Sequence, residues 1–170
     1  MITELHPLNQ LDFDSRYGFP VDGTSTQSCQ TTSLINIYAA KTPGGVPIRI
    51  LDTVVKQWVE DKLLTGDGSP YELNEMSKKL AKALGRDDYY SLVYPKPEND
   101  LLVLSQDEFN KSEYDAGIQT RKTPTGSTHY TATVKKNGKA SDIDSLDPKR
   151  AAAKKYTVKN VKPMQLLEIK

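Results

Sequence analysis

The chain has 170 residues, of which 36% are hydrophobic and 26% are charged. A domain of this length buries roughly 70% of its unfolded surface without needing disulfides or a metal. Its 23 basic and 22 acidic residues leave a net charge of +1, which argues against nucleic acid or an anionic membrane as a partner. From its length, we expect the chain to form one domain over residues 1–170.

The chain has few of the cysteine and histidine side chains that structural zinc sites use. It contains one cysteine, Cys29, and two histidines, His6 and His129. One cysteine forms no internal disulfide, and this set is too small for a zinc site.

The N-terminus lacks the regions of a signal peptide, and no window approaches about 18 apolar residues. We predict a protein that is soluble as made, without metal or cofactor, and cytoplasmic or exported by a specialised secretion system.

The N-terminal segment leads to the cysteine. Residues 1–28 predict an irregular lead-in, because Pro7, Gly18 and Pro20 interrupt their apolar positions. In the next stretch, QSCQTTSLINIY, capping residues precede Cys29 and an apolar stripe follows it. Cys29 is thus predicted to begin a helix that ends near Lys41. Amide N–H groups and the helix dipole favour a thiolate there, as a nucleophile requires. The alternative is that Cys29 is a small buried hydrophobic residue.

Two further helices are predicted before the chain changes character. One begins after Pro47, and its apolar residues recur at intervals of three and four, which places Trp58 in the core. The other is predicted over residues 71–84, with Ser69 as its N-cap.

From residue 89 onward, β-branched and aromatic residues favour strands. Strands are predicted at 89–94, 101–104, 117–122, 128–136 and 139–146, with one or two more after a short helical turn at 151–155. Helices followed by an antiparallel sheet make an α+β fold. The loops at 64–70, 95–100 and 105–117 are candidates for substrate contact.

An Asn-Gly pair at 137–138 is the strongest signal for a hairpin. A two-residue turn puts Asp144 on a diagonal from His129, and a four-residue loop puts it directly across. Asp142 shares that face, whereas Asp147 points the other way unless a bulge intervenes. Either register therefore allows Asp144 to orient the imidazole.

A cysteine nucleophile needs an imidazole to take its proton and a carboxylate to hold the imidazole. Cys29, His129 and Asp144 supply these groups in that order. Taken singly, His129 also fits a strand histidine bonded to a hydroxyl, and the DIDSLDP stretch also fits an acidic surface. Taken together, the residues predict a thiol hydrolase that acts on an amide bond through a thioester.

The stretches QSCQTTSLINIY and THYTATVKKNGKASDIDSLDP resemble the papain-like cysteine peptidase superfamily. Its compact bacterial branches are the most similar, namely the bacteriocin-processing peptidase-like proteins and the papain-like effector proteases and deamidases. The resemblance implies a central helix that begins with the nucleophile and packs on a C-terminal antiparallel sheet. It implies Cys29 as nucleophile, His129 as general base and acid, and Asp144 as orienting group. Asp147, next to Pro148, is the second choice for that last role.

One position departs from the superfamily pattern. A glutamine commonly precedes the cysteine by about six residues and completes the oxyanion hole, but Gly23 stands there in this chain. The amide of Cys29 and the side chain of Gln27 are the predicted oxyanion donors. Gln30 follows the nucleophile, where peptidases often have Gly or Trp.

The resemblance implies a protein or peptide substrate and no cofactor, with a host target or an immunity protein as a further partner. Two rival predictions use the same scaffold. One is a cell-wall peptide amidase, and the other is a non-catalytic module that binds proteins.

Overall fold

The computed structural model describes residues 1–21, 27–95, 100–122, 126–146 and 157–170. A helical N-terminal half precedes a five-stranded antiparallel sheet, which confirms the predicted α+β class. The helices are α1 (Gln10–Tyr17), α2 (Cys29–Lys41), α3 (Ile48–Glu60), α4 (Leu73–Ala83) and α5 (Gln106–Lys111). The strands are β1 (Asp88–Leu92), β2 (Ala116–Lys122), β3 (Thr128–Lys136), β4 (Lys139–Ile143) and β5 (Thr157–Glu168).

The central element is α2, in which ten of 13 residues are buried. A helix that is covered on nearly every side belongs in the interior, and α2 packs on β3 and β2 as well as on α1 and α4. It begins at Cys29, as predicted. The nucleophile candidate therefore lies at the end of the most buried helix, where that helix meets the sheet.

The remaining predicted helices are present with one change. The helix α3 follows Pro47, and Trp58 is fully buried and donates its indole N–H to the carbonyl oxygen of Met76 at 3.1 Å. The helix α4 begins later than predicted, after Glu72. Ser69 is not its N-cap, because the Ser69 hydroxyl bonds to Asp67 inside the preceding loop. Serine side chains often close a turn in this way instead of capping a helix.

The prediction of an irregular lead-in over residues 1–28 is wrong, because that segment contains α1. The side chain of Asn9 caps its first turn by accepting from the Leu11 amide at 2.8 Å. Gly18 ends the helix in the left-handed region, with φ 75°. These are ordinary start and stop signals. Between them Phe13 is fully buried and packs on Tyr17 and on Phe19.

Other segments of the chain differ from the prediction in smaller ways. The predicted loop at 105–117 contains α5, which a capping box of Ser105 and Glu108 starts. The predicted strand at 101–104 is reduced to a single bridge between Leu104 and Val161. The C-terminal strands are one continuous strand, β5. The turn predicted at 151–155 lies outside the described residues.

The sheet has the strand order β1-β5-β2-β3-β4. Asn137 and Gly138 both have positive φ, 53° and 78°, as a two-residue hairpin turn requires. Lys136 pairs with Lys139, so the two-residue register predicted from the sequence is confirmed. Because β4 ends at Ile143, Asp144 lies just past the ladder instead of inside it.

One buried hydroxyl connects α2 to α4 and β1. The Tyr38 hydroxyl lies 2.6 Å from the Ser77 hydroxyl and accepts from the Tyr90 amide at 2.9 Å. Tyr38→Phe leaves these groups without that partner in the interior. We expect it to lower the free energy of unfolding by about 1–3 kcal/mol in urea titrations. Tyr71→Phe is the matched control, since Tyr71 is 72% exposed. Equal unfolding midpoints for the two variants would contradict this role for Tyr38.

Candidate active site

Cys29 is the first residue of α2 and only 8% exposed. The amide N–H groups of the first turn have no acceptor inside the helix, so they can donate hydrogen bonds to a group that lies at the helix end. One turn later, the Ser33 hydroxyl lies 2.6 Å from the carbonyl oxygen of Cys29 and 3.3 Å from that of Tyr130. Ser33 therefore ties the first turn of α2 directly to β3.

The loop at 64–70 packs beside this turn. The Thr31 hydroxyl donates to the carbonyl oxygen of Gly68 at 2.8 Å. Gly68 has φ +86°, and a Cβ atom there would lie 3.2 Å from the Cβ of Ser28 and 3.1 Å from the Phe19 ring. Only glycine meets both conditions without a shift of the backbone or its neighbours. The loop predicted to contact substrate thus reaches the start of α2.

His129 is the second residue of β3 and is 5% exposed. Its Nε2 atom lies 2.9 Å from Oδ1 of Asp144. Its ring also shares a hydrogen bond with the side chain of Cys29. Since Nε2 faces the carboxylate, Nδ1 is the ring nitrogen left for the sulfur. The imidazole therefore lies between the thiol and the acid.

The environment favours the charged form of this imidazole. Burial lowers the pKa of His129, but the hydrogen bonds with Asp144 and Cys29 outweigh it and raise the pKa to about 9. Tyr130, the next residue, is affected as well: burial raises its pKa, and the charge of Cys29 raises it further. His129 is therefore protonated at neutral pH while it remains in contact with Cys29.

Asp144 is held by the turn that follows β4. The Leu146 amide donates to Oδ1 of Asp144 at 2.9 Å, which fixes the carboxylate against its own backbone. The next residue, Ser145, accepts from the Gln10 amide at 2.7 Å and bonds to the Gln10 side chain at 2.7 Å. Both residues are almost fully buried. The first turn of α1 therefore supports the position of the acid.

The structure brings Cys29, His129 and Asp144 together. It places the carboxylate of Asp142 elsewhere, where it accepts hydrogen bonds from Arg121 at 2.8 Å and from Gln119 at 2.9 Å. Asp147 lies outside the described residues, and so does Gly23.

Gln27 is exposed, two residues before Cys29. The amide of Cys29, by contrast, lies at the helix start, where it has no intrahelical acceptor. The role of Gln27 as oxyanion donor stays a prediction.

Sequence reasoning missed the residues that support the site, above all Gln10, Ser33 and Ser145. Ser33 had a local signal, since it follows Cys29 by four residues and a serine there reaches the carbonyl one turn back. The link from Gln10 to Ser145 spans 135 positions and depends on α1, which was not predicted.

The chain matches no protein-family model, no curated protein and no solved structure. Within the described ranges, none of the helices combines the length and the apolar character needed to span a membrane. The same ranges contain no cluster of three or more His, Cys, Asp or Glu side chains arranged for a metal ion.

The raised pKa of His129 predicts how stability depends on pH. Its folded pKa of about 9 lies above the ordinary value of 6.5, so its contribution is complete below pH 6.5 and is lost as pH rises through 9. A shift of this size corresponds to about 3 kcal/mol. We expect urea unfolding at pH 6, 7.5 and 9 to show this loss in the wild type.

Asp144→Asn is expected to flatten that pH dependence, since it removes the carboxylate that favours the imidazolium. Asp142→Asn is the matched control: the same substitution two positions away, on a carboxylate bonded to Arg121. It is expected to keep the wild-type slope. Identical slopes for wild type and Asp144→Asn would contradict the pairing of Asp144 with His129.

Proposed function

We propose that this protein is a thiol hydrolase of papain-like architecture that hydrolyses an amide bond through a thioester. The observation that carries the proposal is the buried His129, which shares hydrogen bonds with both Cys29 and Asp144. A lone cysteine in the interior needs no such partners, whereas a nucleophile needs both. The proposed peptidase-like architecture is supported by a nucleophile at the start of the central helix and by a histidine and an acid from adjacent parts of an antiparallel sheet.

In the first step, Sγ of Cys29 attacks the carbonyl carbon of the substrate amide after its proton has passed to Nδ1 of His129. Asp144 stays ionised, accepts from Nε2 and stabilises the imidazolium. The negative charge moves to the carbonyl oxygen, where the amide of Cys29 donates a hydrogen bond and Gln27 is the proposed second donor.

In the second step, His129 returns its proton to the nitrogen of the leaving group. The C–N bond breaks, an amine or ammonia departs, and the acyl group remains on Cys29 as a thioester. Water then attacks the thioester while the neutral imidazole takes its proton. Collapse of this second intermediate breaks the C–S bond and releases a carboxylic acid, which leaves the Cys29 thiolate beside the protonated His129 for the next cycle.

The proposed substrate is a protein or peptide, and the amide is either a peptide bond or a glutamine side chain. All these reactions use the same nucleophile and base, so the surface around the cleft selects among them. An effector role toward a host protein, with an immunity protein as inhibitor, is the biological setting that we propose. A cell-wall peptide is the alternative substrate.

Thiol reactivity tests the pairing of Cys29 and His129 without knowledge of the substrate. Cys29 is the only cysteine in the chain, so alkylation reports on it alone. We expect iodoacetamide to label the native wild type rapidly at pH 6, and His129→Ala to slow labelling at least tenfold, because the ring no longer holds the thiol proton. His6→Ala is the matched control and is expected to label like the wild type. Equal rates for His129→Ala and wild type would favour the non-catalytic binding module.

Mass spectrometry of candidate proteins incubated with wild type or Cys29→Ala tests the reaction itself. Deamidation converts a glutamine side chain to glutamate and adds about 1 Da, whereas proteolysis produces new chain ends and consumes one water per cut. Both products are expected to be absent with Cys29→Ala and strongly reduced with Asp144→Asn. A product that forms equally with Cys29→Ala would contradict the proposed nucleophile.

A further inference from the structure

A polar strip lies on the helix-facing side of the sheet, at the end where α2 begins. We define this polar strip as Thr120, Tyr130, Asn160 and Lys162. Thr120 pairs with Tyr130 on one side and with Asn160 on the other. One pleat repeat further along, the same face carries the fully buried Ile118, which pairs with Lys162. Along this face of the sheet, the polar strip therefore stands next to the core, at positions where apolar side chains are expected.

Two buried oxygen atoms of the polar strip have no hydrogen-bond partner. They are Oγ1 of Thr120 and Oδ1 of Asn160, on directly paired residues of neighbouring strands. A buried polar atom without a partner costs roughly 1–3 kcal/mol, and such atoms are rare in folded proteins. Two of them side by side suggest a place where a bound group supplies the missing hydrogen bonds.

Lys162 adds a cation to the same place. Its ammonium lies 5.1 Å from the centre of the Tyr130 ring, and the residue is partly buried. Burial lowers the pKa of Lys162, and within the described residues no carboxylate pairs with it. A partly buried ammonium of this kind favours an anionic partner.

The strip adjoins the candidate active site through Tyr130. The pKa of Tyr130 responds to the charge of Cys29, and its backbone carbonyl oxygen lies 3.3 Å from the hydroxyl of Ser33, one turn after Cys29 in α2. From β3 the strip crosses β2 to β5, which at about 4.8 Å per strand is roughly 10 Å. An extended peptide advances roughly 3.3 Å per residue. A span of roughly 10 Å corresponds to about three residues, so we place the side chain that meets Lys162 two or three residues from the reacting amide.

We propose that the polar strip is a substrate subsite for a carboxylate side chain, glutamate or aspartate, two or three residues from the amide that Cys29 attacks. This inference rests on the proposed function and gives it a substrate class. Lys162 pairs with the carboxylate as a charged donor, and the Thr120 hydroxyl donates a second hydrogen bond. The carboxamide of Asn160 presents either its oxygen or its NH₂ group to the same space, so it also serves as a donor.

Peptides that carry a thiol-reactive group test the subsite without the natural substrate. The probes are alanine tripeptides with a chloroacetyl group at the N-terminus or a chloromethyl ketone at the C-terminus, so that the peptide extends from the sulfur in either direction. At each position, glutamate is compared with glutamine, which has nearly the same shape without the charge. The rate of Cys29 alkylation is measured for each probe, with iodoacetamide as the probe that lacks a peptide.

We expect wild type to react at least tenfold faster with glutamate than with glutamine, at the second or third position in one of the two directions. Lys162→Met is expected to reduce that ratio to less than about twofold; because both probes react with the same sulfur, the ratio cancels any change in the reactivity of Cys29 itself. Thr120→Val, a second variant of nearly unchanged shape, is expected to reduce the ratio in part. Lys159→Met is the matched control, because Lys159 is an exposed lysine on the same strand, and it is expected to keep the full preference.

Equal rates for glutamate and glutamine probes at all positions in wild type would overturn the subsite, and so would a preference that persists in Lys162→Met. In both cases rapid labelling by iodoacetamide leaves the proposed hydrolase intact. Slow labelling of the wild type by iodoacetamide contradicts the hydrolase itself, and the subsite then fails with it.

Discussion

The organisation of this protein depends on one imidazole, that of His129, which is buried between a helix and a strand. A polar ring in the interior needs hydrogen-bond partners close by, and His129 has Asp144 on one ring nitrogen and Cys29 for the other. These partners come from different elements, so α2, β3 and the turn after β4 must meet at one point. The single hydroxyl proton of Ser33 lies between backbone carbonyl oxygens of both α2 and β3, with the Cys29 oxygen at 2.6 Å and the Tyr130 oxygen at 3.3 Å.

The parts of this arrangement that the sequence predicts are those with local signals. Residues of the type that cap helices precede Cys29 and predict the helix start, although the Ser28 side chain makes no capping hydrogen bond. The Asn-Gly pair sets the register that places Asp144 diagonal to His129. Both of these signals depend on neighbouring residues and on a fixed periodicity. Neither signal indicates that the helix and the hairpin touch, because that contact is a property of packing. The contact between Cys29 and His129 is inferred from the chemistry of the three groups together.

The parts that could not be predicted depend on distant contacts or on competing local bonds. The first helix has good caps in Asn9 and Gly18, but its many neighbouring prolines and glycines suggested a loop. Ser69 fits the N-cap pattern, yet its hydroxyl is used within its own loop. The support that Gln10 gives to Ser145 joins the two halves of the chain and has no signature in either half.

Because Asp144 lies outside the strand ladder, the pairing of the strands alone does not hold it in place. Strands β2, β3 and β5 hold one another through long ladders, whereas the turn at 144–146 is attached to the short helix α1 by the Gln10–Ser145 contacts. Short peripheral helices open at a lower free energy than central strands. We therefore expect a local opening of α1 to loosen the hold on Asp144 while the sheet persists, so that the amides of α1 and of this turn exchange their hydrogens ahead of those in β3.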